Sequence, residues 1–258
     1  MKTKSSLLKN NAVQSLLCSL ICVILGVFIG YIVLLLINPT GAGKAILAVI
    51  KNFFFFPEGP ARAKYFGGTL VKAAPLVMCS LSILFAYKVG LFNIGVAGQY
   101  VAGAGACLYA ALAWQCPWYV CLLLAIAAGA VFGAFSGILK AYCNVNEVIS
   151  GIMLNWIGLY AVNILLTNVK EAASPYTNNL SSFNASALLP TMGLDKLFGN
   201  NQYVTIAIPL AILSAIVIAV ILEKTKFGYE LKATGNNKNA AKYCGMREKQ
   251  NIIVTLII

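Results

Sequence analysis

The stretch SLLCSLICVILGVFIGYIVLLLI, residues 15–37, carries no charge and exceeds the ~20 apolar residues that a helix needs to cross a bilayer. Basic Lys2, Lys4 and Lys9 precede it. A secretory signal orders its parts in the same way, but its apolar region runs for only about 7 to 15 residues before a small-residue cleavage site. Residues 15–37 therefore read as a retained membrane anchor. Working outward, further apolar runs of spanning length lie at residues 66–87, 93–114, 118–139, 148–169 and 203–222. That makes six complete spans. The apolar residues 252–258 are too short to cross and read as the start of a seventh, so we expect a C-terminal truncation. The fold class is all-α, a polytopic helical membrane protein, with residues 1–258 as one transmembrane domain.

Composition supports lipid as the main solvent. The 258 residues are 60% hydrophobic and 10% charged, with a mean hydropathy of +0.84, whereas about 25% of an ordinary soluble chain is charged. The net charge of +12 could point to nucleic acid, but no basic stripe interleaved with aromatics lies on a water-soluble segment. Topology explains the charge better. With the N-terminus in the cytoplasm, alternation puts Lys2, Lys4, Lys9, Lys88, Lys140 and the basic residues of 223–250 inside, against Lys44, Lys51, Arg62, Lys64, Lys170 and Lys196 outside. Basic residues near span ends are preferentially retained in the cytoplasm.

Catalytic and metal chemistry find little to stand on. There is no histidine, and the eight cysteines fall mostly within apolar runs as small packing residues. Cys18 with Cys22, and Cys116 with Cys121, lack a second pair at zinc-site spacing. Without His, a Ser or Cys nucleophile lacks its commonest base, and the acids are dispersed. We therefore expect no enzyme activity, no metal and no cofactor. A phosphate-binding loop GxxxxGK[ST] would need Gly at 38 and Ser or Thr at 45, where Asn38 and Ala45 stand, so Gly43-Lys44 belongs to an ordinary loop. No expected span contains an acid, and proton-coupled carriers usually need one there. Lys72, the one ionised type inside a span, reads as a snorkelling residue.

Glycines indicate that helices pack on one another. Gly129, Gly133 and Gly137 line one helical face and admit a close backbone. Gly95, Gly98, Gly103 and Gly105 suit either tight packing or a locally broken helix beside a pathway. Among polar residues at the spans, the amides of Asn93, Gln99 and Asn155 are candidates for the translocation path, with interhelical hydrogen bonding as the equally good alternative. Gly151, Asn155 and Gly158 share a face, which lines a pathway or a helix contact.

Residues 223–250 form the most informative loop. It is hydrophilic, yet contains Phe227, Tyr229, Leu231, Tyr243 and Met246, which gain little by facing water. Asn236, Asn237 and Asn239 are able to cap a helix, residues 240–244 to form about a turn and a half, and Gly245 to close it in the left-handed conformation. Such a short helix suits a partner's groove, and a basic loop held on anionic lipid is the plainer alternative.

Three motifs carry a resemblance. They are GLFNIGVAGQ at 90–99, NEVIS at 146–150 followed by MLN at 153–155, and GYELKATGN at 228–236 followed by AAKYCGM at 240–246. In order and spacing they resemble the permease subunits of bacterial ABC importers, in the nucleoside and simple-sugar branch of the branched-chain amino acid and ribose permease family. Ala97 departs from the Gly-Val-Glu-Gly-Gln run common there, so no carboxylate role carries over. The resemblance implies a second permease subunit, forming a heterodimer, cytoplasmic ATPase subunits that bind ATP on other chains, and an extracellular substrate-binding lipoprotein. It also implies a multi-pass location in the bacterial cell membrane. Residues 239–245 would be the coupling helix, with Asn236, Asn239, Ala240, Ala241, Tyr243 and Gly245 as the ATPase-coupling loop. The expected cargo is a nucleoside or related small sugar compound, moved by alternating access. A ribose- or galactose-type sugar, or a scaffold that docks cytoplasmic proteins without transport, are the alternatives.

Overall fold

The computed structural model describes residues 11–54, 59–169 and 180–258, and Lys2, Lys4, Lys9 and Lys170 lie outside them. The chain forms two compact units, Met1–Phe66 and Gly67–Ile258.

In the first unit, α1 (Asn11–Ile37) holds the opening apolar run. None of its most apolar window is buried, as suits a helix that is hydrophobic on all sides. Asn38 ends it, its Oδ1 accepting from the Gly41 N–H at 3.1 Å and the Thr40 hydroxyl at 3.0 Å. The chain then enters α2 (Ala42–Phe54). At 100° per residue, Ala42, Ile46 and Ile50 fall on one side of α2 and Lys44 and Lys51 on another. Residues 38–41 are thus a capped turn between two helices, with no strand before them, and Gly43 and Lys44, expected in a loop, lie in the first turn of α2.

The second unit starts within α3 (Gly59–Lys88). Next come α4 (Val96–Leu112), α5 (Trp118–Cys143) and α6 (Glu147–Thr167), with α4 lying against both α5 and α6. The short α7 (Leu180–Phe183) and α8 (Leu194–Leu197) lead to α9 (Ala207–Lys224). Asn184 fastens this connection by donating to the carbonyls of Ala111 and Cys116, both at 3.0 Å. The unit ends with α10 (Lys226–Asn236), α11 (Lys238–Tyr243) and α12 (Glu248–Ile257).

Among the described residues, α1, α3, α5, α6 and α9 are long and apolar enough to cross a membrane. Residues 93–114, expected as a complete span, give only the 17-residue α4. At 1.5 Å per residue it is about 26 Å long, short of a ~30 Å hydrocarbon core. The cause is local: the chain leaves the helical path at Gly90, whose φ is 73°, and residues 91–93 are irregular. The glycine-rich start meets both readings: the helical path is interrupted before α4, and within α4 a Cβ on Gly98, Gly103 or Gly105 would lie 2.8 Å from Asn155 Oδ1, 3.0 Å from the Ala125 carbonyl oxygen or 2.6 Å from Val162.

The Gly133 and Gly137 face packs as expected, and its partner is α12. A Cβ on Gly137 would lie 2.9 Å from the Ile253 Cα, and one on Gly133 would collide with the Leu256 carbonyl. The segment that read as an apolar stub, 252–258, is therefore the inner part of a helix lodged against α5. Its buried face is Asn251, Ile252, Thr255 and Leu256.

Candidate functional site

The broken start of α4 creates an electrostatic demand. A helix leaves its first N–H groups without partners, and Gly95 at this N-terminus offers no side chain to satisfy them. Asn155 of α6 supplies the missing acceptor from another helix. Its Oδ1 accepts from the Gly98 N–H at 2.7 Å, and its Nδ2 donates to the Ile94 carbonyl at 3.0 Å. One amide therefore ties the turn before α4 to the first turn of that helix. The approach depends on Gly151, where a Cβ would lie 2.9 Å from the Gly95 nitrogen.

On the other side of the break, Asn93 is 4% exposed and spends both N–H bonds. Its Nδ2 donates to Ser82 Oγ of α3 and to Gln99 Oε1, each at 3.1 Å. Gln99 Nε2 in turn donates to the Leu256 carbonyl of α12 at 2.6 Å. The three amides expected at the path thus gather around one segment, 93–99, and all are engaged in hydrogen bonds within the protein. The face of Gly151, Asn155 and Gly158 is a helix contact with α4 and Phe132. Gln99 also lines a groove of about 440 Å³ between α3, α4, α5 and α12, together with Ser82, Met78, Tyr100, Ile126 and Ile257.

The loop after α9 folds as two capped helices. Thr225 caps α10 by accepting from the Gly228 N–H at 3.1 Å, and Asn237 caps α11 by accepting from the Ala240 N–H at 3.1 Å. Asn237 is thus the capping residue among the three asparagines, while Asn236 ends α10 and Asn239 lies exposed within α11. Gly245, at φ 77°, closes α11 as expected: its N–H bonds the Lys242 carbonyl, and the Met246 N–H bonds that of Ala241, both at 3.0 Å. These are the two bonds of a Schellman closure.

The loop's apolar residues divide by role. Leu231 is fully buried with Phe85, Val89 and Leu222, and Phe227 packs on the same cluster. Tyr229 and Tyr243 remain 67% and 91% exposed. Ala240 is exposed but Ala241 is 3% exposed, so the two alanines do not present one surface together. Gly235 of α10 meets the turn after α3, where a Cβ on Gly90 would lie 3.0 Å from the Gly235 carbonyl oxygen. The first quoted motif therefore touches both the second, through Asn155, and the third, through Gly235.

Two ties escaped the sequence reading. Thr234 and Asn251, both buried, join α10 to α12 through an Asn251 Nδ2 to Thr234 Oγ1 bond of 3.1 Å. Lys140 and Glu147 form an ion pair of 2.6 Å across the α5–α6 turn, their side chains only 15% and 16% exposed. Among the described residues, no group of three His, Cys, Asp or Glu side chains could hold a metal ion.

Comparison with known proteins shows the family to which the chain belongs. The family model described as "Branched-chain amino acid transport system / permease component" matches residues 65–258. The chain belongs to this permease family. The match covers the whole of the second unit, including the amide cluster and the α10–α11 loop. The chain is 32% identical to the guanosine ABC transporter permease protein NupP of Bacillus subtilis, over 94% of this chain and 68% of that protein. It is also 32% identical to the nucleoside ABC transporter permease protein NupB of Lactococcus lactis subsp. cremoris, over 96% of this chain and 68% of that one. The glucose ABC transporter permease protein TsgB13 of Haloferax volcanii is 31% identical over 69% of this chain and 49% of its own length. No solved structure matches the chain. Family membership and the apolar helices make this a multi-pass membrane permease of the ABC transporter class, a transport component and not an enzyme.

Proposed function

We propose that the chain is the permease subunit of an importer that passes a nucleoside into the cytoplasm by alternating access. The observation that carries this reading is the 32% identity, over almost the entire chain, to a guanosine permease and a nucleoside permease. The groove supports it. Its volume of about 440 Å³ is in the range that takes a small ligand. Apolar walls and the Tyr100 ring suit the face of a base, while Gln99 and Ser82 offer polar atoms at one side. Of the three path candidates, Gln99 faces the groove, and Asn93 and Asn155 hold the segment that carries it.

The rest of the assembly follows from the same reading. ATP is bound by separate cytoplasmic ATPase subunits, and this chain carries no cofactor. Residues 1–258 act as one permease domain beside a second permease subunit, and an extracellular lipoprotein delivers the substrate. The N-terminus and residues 223–250 face the cytoplasm, where Asn236, Asn239, Ala240, Tyr243 and Gly245 meet the ATPase and Ala241 holds α11 to its own chain. A glucose-type cargo is the second reading, favoured by the match to the glucose permease. That match covers less of both chains, and nothing observed favours a scaffold without transport.

Competition separates the two cargoes. In cells expressing the chain with its partner subunits, uptake of labelled guanosine should be suppressed by excess unlabelled nucleosides and not by excess glucose, ribose or galactose. Suppression by a sugar alone would replace the nucleoside reading with the sugar one.

A further inference from the structure

We propose that α12 is a lever joining the coupling loop to the substrate-path amides, with Thr234 and Asn251 as the positioning residues at its loop end. The inference rests on the importer reading above and assigns a route within it.

The route is a run of hydrogen bonds through the second unit. At the loop end, the Thr234 hydroxyl donates to the Glu230 carbonyl at 2.8 Å. Its single proton is then committed, so toward α12 it acts only as an acceptor, and Asn251 Nδ2 fills that role at 3.1 Å. Within α12, Thr255 Oγ1 donates to the Asn251 carbonyl at 2.6 Å. At the far end, the next carbonyl, that of Leu256, receives Gln99 Nε2 at 2.6 Å, and Gln99 Oε1 receives Asn93 at 3.1 Å.

Burial gives these bonds mechanical meaning. Thr234 and Thr255 are fully buried, and Asn251 is 4% exposed. Among the described residues, no buried side-chain nitrogen or oxygen lacks a partner. A buried polar pair resists separation because each group would be left unsatisfied away from water. Displacement of α10 would therefore carry α12 with it sooner than break the Thr234–Asn251 bond. Along α5, Gly133 and Gly137 present no side chain against α12. Movement of α12 reaches Gln99 directly, because the bond there is to the helix backbone.

The α10–α11 loop also rests on the end of α3, through Leu231 and Gly235. That contact is apolar and backbone packing, whereas the α12 route ends on a side chain that lines the groove. The α12 route is thus the one that would change the groove's polar lining when the loop moves.

The test uses proteoliposomes containing the full chain with its second permease, ATPase and binding protein, and counts labelled guanosine imported per ATP hydrolysed. Thr234→Val keeps the shape and removes the acceptor, and should lower that ratio about tenfold, while Thr234→Ser, which keeps the hydroxyl, should stay within about twofold of wild type. If both ends belong to one route, Gln99→Ala combined with Thr234→Val should do no more damage than the worse single change. An unchanged ratio for Thr234→Val, or effects that multiply in the double variant, would overturn the lever. Should Thr234→Val fail to reach the membrane, Asn251→Ala is read by the same two outcomes. A wild type with no ATP-driven uptake overturns the importer reading and the lever together, whereas wild-type uptake with an unaffected Thr234→Val overturns the lever alone.

Discussion

Asn155 in α6 caps α4, accepting the Gly98 N–H at 2.7 Å across the interface between the two helices. A helix start that carries glycine at its own cap position borrows its acceptor from a neighbour. Replacing Asn155 with Leu would leave Gly98 N–H and the Ile94 carbonyl without partners, at a cost of about 1–3 kcal/mol for each buried group. We expect a clear loss of thermal stability in detergent, measured by thiol-reactive dye unfolding, and a loss of guanosine uptake. Asn155→Asp retains the acceptor for Gly98 and should recover part of the stability.

Gly137 tests the seat of α12. A Cβ there would lie 2.9 Å from the Ile253 backbone, which cannot yield as a flexible side chain would. Gly137→Val should destabilise by about 1–3 kcal/mol, the usual cost of overpacking a well-filled core. The same change at Gly129, where the nearest neighbour is the Gln99 carbonyl at 3.5 Å, should cost clearly less. Thermal midpoints of the two purified variants, compared side by side, check the order.

The Lys140–Glu147 pair closes the α5–α6 hairpin at 2.6 Å. Lys140→Met would strand a mostly buried carboxylate, and Glu147→Gln would strand a mostly buried ammonium, each costing about 1–3 kcal/mol since both groups keep some contact with water. The double variant should be more stable than either single one. A double-mutant cycle on detergent-solubilised protein measures the difference.

Ala240 and Ala241 should behave differently despite their adjacency. Ala240 is exposed on α11, so Ala240→Trp should leave membrane insertion intact and abolish substrate-stimulated ATP hydrolysis by obstructing the ATPase groove. Ala241 is 3% exposed, so Ala241→Trp should disturb α11 itself and increase protease cleavage within residues 238–246. Limited proteolysis beside an ATPase assay separates the two outcomes.

The helical membrane fold was legible because spans are written as long uncharged runs, and residues 15–37 needed no tertiary information to be read. Helix α11 was nearly as plain, since Gly245 and Asn237 act through local backbone geometry. Choosing Asn237 over Asn236 and Asn239 as the cap depended on where α10 ends, at Asn236. The shortened α4 was half visible: its glycines announced a break or a tight contact, and only the position of Asn155 in another helix makes the break affordable. Polar partners distant in sequence, such as Gln99 with Leu256 and Thr234 with Asn251, left no periodic trace. Backbone acceptors like the Leu256 carbonyl carry no residue signature at all.

ATP dependence of import is the most direct test of a permease powered by another chain. Proteoliposomes holding this chain with its second permease, ATPase and binding protein should accumulate labelled guanosine when ATP is supplied on the ATPase side, and should stop when ATP is withheld or replaced by a non-hydrolysable analogue. Accumulation that continues without ATP, or that an ion gradient alone sustains, would contradict it.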